Sequence, residues 1–349
     1  MCSRSSSARP IANDSIIVLD LAPVKRFLGL LSVFVLTLSC GGAESGKLVI
    51  RLGHIGFPES PFDHGARKFK ELLEARFPER VEVRIFGSGQ LGEDKEMLEG
   101  LRLGTLEMHV PSSVLHSVEP MFGVFDLAFL VQDRGQIERI AEGPMGERFR
   151  QKLLEHDLVL LGFWENGFRM ITNNVRPVVR PEDLEGIKIR TPKDPERVKL
   201  FKAFGANPTS MSFGEVFSAL KQGVIDGQEN PFSQIVPARF HEVQKYLSVS
   251  RHVYSPAYPL MSQQFFESLD EDIQVAIREV AEEVGRFHRE FGKKEDARYR
   301  IMLEDELEIT EIDFEAFAAK AGPLYEEFNE RYGPELVETI RSYRSKSDN

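Results

Sequence analysis

From Lys47 to Ser113 the chain alternates short β-branched runs with amphipathic stretches, and no other feature restricts its fold so strongly. "KLVIRLGHI" reads as a first strand, "SPFDHGARKFKELLEARFPER" as a helix closed by Pro78, and "VEVRIF" as a second strand. "GEDKEMLEGLRLG" gives the next helix, ended by Gly104, and "LEMHVPSS" a third strand with its turn. This β-α-β-α-β order calls for a largely parallel sheet covered by helices. Further strands follow in "DLVLLGFWENGF" and "GIKIRTP", then helices in "DPERVKLFKAFGANP" and "SFGEVFSALKQGVIDG", the latter leading into a short strand. From Leu269 the pattern turns helical, as one long charge-laced amphipathic helix or two end to end, followed by two or three more.

A chain of 349 residues, 42% hydrophobic, has room for about two domains, each with its own core. The net charge of −11 argues against electrostatic capture of nucleic acid. Both cysteines, Cys2 and Cys40, precede the folded body, which therefore has no disulfide framework, Cys-based zinc site or thiol nucleophile. "VKRFLGLLSVFVLTLSCGG" has the layout of a secretory signal: Lys25 and Arg26, an apolar run from Phe27 to Leu38, then small residues. The run is short for a membrane span. Ser39 before Cys40 and Gly41 after it resemble a lipoprotein cleavage site, with a plain signal peptide cut nearby as the alternative. The expectation is a signal segment over 1–39, lipidation at Cys40 and a linker over 40–46. Residues 1–23 fit no signal architecture, which puts the expected start of translation at Val24.

Gly87, Gly89 and Gly92 form a G-x-G-x-x-G between a strand and a helix, the layout of a dinucleotide-binding turn. The first helical turn carries Glu93, Asp94 and Glu96, however, which would repel a pyrophosphate from the helix N-terminus. Glu107, near the spacing of a ribose-binding acid, falls inside the third strand. A strand-to-helix turn is the better reading, and no cofactor is expected. The histidines are scattered without metal-ligand spacing, and G-x-S-x-G and P-loop motifs are absent, so no catalytic or metal constellation emerges.

Polar groups at strand ends stand out instead. Arg169 follows "WENGF", Arg190 ends "GIKI", and Asn230 ends "GVIDGQEN". Ligands of open α/β sheets bind outside the carboxyl ends of strands, and an arginine there presents a fork that fits a carboxylate. A surface arginine or a salt bridge between domains is the competing reading of each.

"NGFRMITNNVRPVVRPEDLEGIKIRTP" followed by "FGANPTSMSFGEVFSALKQGVIDGQENP" closely resembles the solute-binding proteins of tripartite ATP-independent periplasmic (TRAP) transporters, of the C4-dicarboxylate-binding type. "GSGQLGEDKEMLEGLRLGTLEM" resembles that family's turn and helix, and the resemblance runs from about Lys47 to Val284. It implies a two-domain periplasmic-binding-protein fold, with hinge-crossing strands and a long domain-spanning helix. The expected division is 47–167 with 256–296 as one domain, and 168–255 with 297–349 as the other. It further implies a periplasmic, non-enzymatic binding protein; a monomer is expected, held to a membrane where Cys40 carries a lipid. That protein would hand a small carboxylate to the small and large membrane subunits of a permease.

By the same resemblance Arg190 pairs with the ligand carboxylate, Arg169 and Asn230 complete its shell, and Phe213 forms an aromatic wall. His54, Ile55 and Ser112 lie at further pocket positions, where they depart from the Asn and Glu of sialic-acid binders. Trp164 and Glu165 either face sugar hydroxyls or belong to core or surface. C4-dicarboxylates, 2-oxo acids and uronates all satisfy the two arginines, with a lean toward a sugar or hydroxy acid. A carboxylate-sensing subunit of a receptor and a periplasmic enzyme on the same acids are the rival functions.

Overall fold

The structure, a computed structural model, describes residues 46–345. Cys40 and the signal segment lie outside the described residues. In chain order the strands are β1 (Leu48–Gly53), β2 (Val81–Phe86), β3 (Met108–His109), β4 (Leu158–Leu160), β5 (Trp164–Asn173), β6 (Lys188–Thr191), β7 (Asn207–Ser210), β8 (Gly227–Pro231), β9 (Tyr246–Val249), β10 (Tyr254–Ala257), β11 (Leu260–Ser262) and β12 (Glu308–Glu311). They form two sheets. The first has the order β2-β1-β3-β11-β4, and the second the order β12-β9-β5-β8-β6-β7, with β10 paired to β5.

The opening alternation produces parallel pairing of β1 with β2 and β3. Neither sheet is largely parallel, however. Strand β11 returns antiparallel between β3 and β4, and β5 runs antiparallel to both β8 and β9. The difference comes from strands three to four residues long, too short to show a period of their own.

Strand β5 is buried along all ten of its residues because it serves two neighbourhoods. Its first half pairs with β10 and its second half with β8 and β9. At the junction Gly167 has φ +125, and a Cβ there would lie 3.1 Å from Cβ of Pro231, so a larger residue would be both strained and crowded. The register of β10 shifts opposite this point, between Ser255 and Pro256.

A single helix, Glu271–Glu304, runs along the crossing strand. Ile273, Ile277, Val280 and Val284 recur at helical spacing and pack with Phe69 and Leu73 of the Pro61–Arg76 helix. Farther along, Tyr299 and Leu303 join a different core, with Leu307 and Leu247. Gly292 lets the helix approach β5, since a Cβ there would meet Oε1 of Glu165 at 2.4 Å. Helix Phe314–Tyr332 packs Phe317 and Ala321 against Phe201 and Phe204 of the second sheet's surroundings. The last helix, Pro334–Ser342, instead docks on residues of the 47–167 segment: Gln136 Nε2 donates to Ile340 O at 2.8 Å, and Arg139 Nε to Tyr343 O at 2.7 Å. The C-terminal stretch therefore does not pack wholly with the segment 168–255.

His288, buried in the long helix, sets its ring edge-on to Trp164 at 5.5 Å, and among the described residues its Nε2 has no hydrogen-bond partner. Burial, with His64 adding to it, lowers its pKa to about 3. The unfolded chain thus takes up this proton first, and the ring's contribution to stability is full above the ordinary histidine pKa of about 6.5 and lost as pH falls below it. For His288→Gln, the stability advantage of the wild type should shrink by about 1.4 kcal/mol per pH unit between about pH 6 and pH 4, read from urea unfolding at stepped pH. A constant difference would show that the ring is not held neutral.

Candidate functional site

Strands β6 and β8 run parallel and end side by side, while β5 passes antiparallel to β8 with Arg169 opposite Pro231. Their convergence opens a cleft of about 680 Å³, mouth included, lined by Arg169, Arg190, Asn230, Phe213 and Ser112 among others. Arg169 sits in the body of β5 rather than at a strand end, and it reaches the cleft because β5 crosses there.

Arg190 is 3% exposed, and both Nε and Nη2 donate to the same carbonyl, Met211 O, at 3.1 and 2.7 Å. Its guanidinium lies 5.9 Å from the Phe213 ring centroid. Among the described residues no carboxylate comes within 4.0 Å of it. Burial, followed by the like charge of Arg169, lowers its pKa to about 9.

Arg169 is the opposite case. Its Nε donates to Glu229 Oε2, and its Nη2 to Glu229 Oε1 at 2.9 Å, Glu229 O at 2.6 Å and Asn230 Oδ1 at 3.0 Å. Asn230 in turn donates from Nδ2 to Gln228 Oε1 at 2.6 Å. Glu229 also accepts from Arg197 Nη1 at 2.7 Å and lies 3.1 Å from His252 Nε2, and Arg197 bridges onward to Asp126. Burial alone would raise the Glu229 carboxyl, but Arg169, Arg197 and the His252 hydrogen bond outweigh it and hold it well below the usual carboxylate range. The Arg169 pKa is lowered as well, which for a base disfavours the charged form: burial first, then Arg197, outweigh Glu229. The acid answers two cations at once; Arg169 shares that acid with Arg197, whereas Arg197 also faces Asp126 and Asp194 and is raised.

Ser112 Oγ donates to Pro256 O at 2.7 Å and accepts from Asn166 Nδ2 at 3.2 Å, at the rim where β3 gives way to its turn. Three expected site residues lie elsewhere. Trp164 is fully buried, donating from Nε1 to Ala281 O at 2.8 Å and packing on Phe69. Glu165 takes Arg134 Nε at 2.7 and 2.9 Å and the Tyr254 hydroxyl at 3.2 Å, while Arg134 reaches Asp296 at 2.6 Å. Burial, opposed by Arg134, raises its pKa to about 7. Both residues are removed from the cleft because helices cover β5 at that point. His54 is 1% exposed and stacks on Phe62, roofed by the glycine turn, where a Cβ on Gly87 would meet its Cε1 at 2.8 Å. Only its neighbour Ile55 lines the cleft.

The glycine turn uses its amides internally: Ser88 N donates to Gly56 O, Gly89 N to His54 O and Gly92 N to Gly89 O. Gly89 and Gly92 have φ +70 and +112. Glu107 is held by Arg51 at 2.6 Å. The turn therefore delivers Glu93 and Asp94 to the cleft wall, a role not inferred from sequence although their place after a strand and turn pointed there. Asn166, Ser113 and Gln234 were missed as well, for want of any local motif. Among the described residues His116, Asp126 and Asp194 could converge on a metal ion. Asp126 already holds Arg197, and Asp194 caps the Pro195–Ala203 helix through Glu196 N and Arg197 N, so both acids have structural occupations.

A family model described as bacterial extracellular solute-binding protein, family 7, matches residues 52–331. The chain is 36% identical over 260 residues to the 2,3-diketo-L-gulonate-binding periplasmic protein of Escherichia coli (strain K12), covering 74% of this chain and 79% of that one. Among solved structures it is similar to a TRAP periplasmic solute-binding protein from Polaromonas sp. JS666 bound to D-erythronate, with TM-score 0.83, 31% identity, and coverage of 86% and 100%. It is also similar to the sugar acid binding protein of Advenella mimigardefordensis strain DPN7T in complex with galactonate, with TM-score 0.82, 33% identity, and coverage of 85% and 98%.

Replacing Glu229 by Gln should destabilise the fold by about 3–5 kcal/mol at neutral pH, because two buried guanidinium groups lose their common counter-charge. The contribution of a carboxylate held below its ordinary pKa is full above about pH 4.5 and fades as pH falls through the lowered value. Thermal unfolding of both proteins should thus show a gap at pH 7 that narrows in acid. A gap under about 1 kcal/mol at pH 7 would mean that the pair is not acting as a buried one.

Proposed function

This chain belongs to family 7 of the bacterial extracellular solute-binding proteins, the binding components of TRAP transporters, and on that footing we propose that Arg190 is the group that captures the carboxylate of its small organic acid. The observation that carries the assignment is a guanidinium 3% exposed, hydrogen-bonded among the described residues only to a carbonyl, and facing a cleft. A buried cation without a counter-charge costs several kcal/mol, and an arriving carboxylate offsets that cost. Arg169 and Asn230 frame the same place, but Glu229 already balances Arg169, so among the described residues Arg190 is the buried cation of the cleft with no carboxylate at ion-pair distance, and Glu229, Asp94 and Glu93 act on it only from farther away. Phe213 supports a flat apolar wall beside it.

Capture is coupled to closure of the lobes 47–167 with 256–296 and 168–255 with 297–332, leaving the last helix with the first lobe on which it packs. The ligand stabilises the closed state by contacts that exist only there. The closed form is then delivered to the small and large permease subunits. The protein works as a monomer in the periplasm, held by a lipid on Cys40, and releases its ligand unchanged. Relatives that hold D-erythronate and galactonate support a hydroxylated acid as cargo.

Isothermal titration against D-erythronate, galactonate, succinate and a 2-oxo acid tests the reading. At least one acid should bind, and Arg190→Ala should weaken it tenfold or more, in line with loss of over ~2 kcal/mol for a buried charge pair. Undiminished binding by the variant would remove Arg190 from the role.

A further inference from the structure

Resting on the lobe closure proposed above, we infer that Phe57 is a closing latch: its ring, carried by the first lobe, seats on Phe213 of the second and holds the two together from outside the ligand site. The ring centroids lie 5.7 Å apart with their planes tilted by 44°. Phe213 rests in turn edge-on against the fully buried Phe240, at 5.5 Å. Phe57 packs on the core cluster that contains both of these rings. It is half-buried, and it does not figure among the residues that line the cleft.

The loop that carries Phe57 is fastened on both sides. Phe57 O accepts from Ser60 N at 3.1 Å, at the cap of the Pro61–Arg76 helix, where Glu59 N donates to Asp63 Oδ2 at 3.1 Å. On the other side Ser88 N, within the glycine turn, donates to Gly56 O at 2.9 Å. Gly56 has no room for a side chain, since a Cβ there would meet Ser60 Oγ at 2.3 Å and Phe62 Cδ2 at 2.8 Å. The G-x-G-x-x-G turn thus has a use that needs no nucleotide: it braces the loop whose ring crosses to the other lobe. A polar approach flanks the rings. Glu93, which follows the turn, brings Oε1 to 3.9 Å from where a Cβ on Gly214 would stand. Burial and Asp94 raise the Glu93 carboxyl, and Ser212 and Lys193 of the facing segment oppose them.

Opening the lobes separates Phe57 from Phe213 and returns apolar surface of both rings to water, so the contact favours the closed form with or without a ligand. A ligand that needs the closed form has an apparent affinity scaled by how often that form exists. One aromatic pair shifts that population about twofold to tenfold. Because Phe57 stands outside the cleft lining, its share of the affinity is the same for every acid that closes the lobes.

Titration calorimetry of the mature protein with D-erythronate, galactonate and succinate tests the latch, together with X-ray scattering in solution. Phe57→Ala should weaken every acid that binds by one common factor, about threefold or more. Without ligand the variant should scatter as a more open body than the wild type, and the two should converge on one curve at saturating acid. Phe57→Leu, which keeps an apolar side chain for the core, should show the same pattern with a smaller change, and Phe57→Tyr should behave as the wild type. Unchanged affinity and scattering in Phe57→Ala, or a loss confined to one acid, overturns the latch, while weaker binding by Arg190→Ala still upholds the carboxylate assignment. Scattering that a bound acid alters in neither the wild type nor Phe57→Ala overturns closure itself. Failure of every acid to bind the wild type overturns the carboxylate assignment.

Discussion

Glu229 is a carboxylate without surface exposure, and the second half of this molecule is organised around it. It joins Arg169 of the crossing strand to Arg197 of the Pro195–Ala203 helix, and through Arg197 to Asp126 in the segment that leads away from the first sheet. A buried ion network is weak evidence for stability, because desolvation offsets most of its Coulomb energy. Its value here is geometric. Arg169 is held by Nε and Nη2 along the floor of the cleft, so the strand ends of β6 and β8 meet a preset surface rather than a mobile side chain.

The contrast between the two cleft arginines follows. Arg169 is neutralised within the chain; Arg190 is not at ion-pair distance from any acid among the described residues, where only Met211 O receives its protons. Fully answering both charges internally would leave nothing for a ligand to bind, and answering neither would bury two bare cations side by side. Leaving one open concentrates the unfavourable energy at a single place that a carboxylate can reach. On the proposed reading, domain closure would strengthen the pair, because the same desolvation that strains Arg190 when free would raise the value of its partner when bound.

Much of this was readable from the chain. The alternation between Lys47 and Ser113 foretold β1, β2 and the helices between them, and the long helix was visible in its apolar spacing. Strands such as β10 and β11 were not, because three or four buried residues carry no period. Arg190 and Asn230 could be expected at the cleft because each ends a short strand and matches the family motif. The network behind them could not, since Arg197 and Asp126 are 71 positions apart in sequence and no local pattern joins them. Asp94 was seen and used only to argue against a nucleotide, although the same charge at the same strand exit also describes a ligand wall.

Glu165 shows why residue type alone misleads. It is an acid next to a tryptophan and close to the motif arginine, the composition expected around a sugar. Yet Arg134 answers its charge, Asp296 answers that of Arg134, and Tyr254 occupies a remaining lone pair. A group satisfied in this way has no interaction left to offer, whatever its chemistry. Its work is to tie β5, β10 and the long helix together at the level where the two sheets meet, and the missing side chain of Gly292 leaves the room for it. Arg190 differs from Glu165 in that, among the described residues, no acid stands at ion-pair distance from it while it lines the cleft. That lack of a partner charge, rather than the presence of arginines or acids, separates the proposed carboxylate-binding group of this protein from its structural ones.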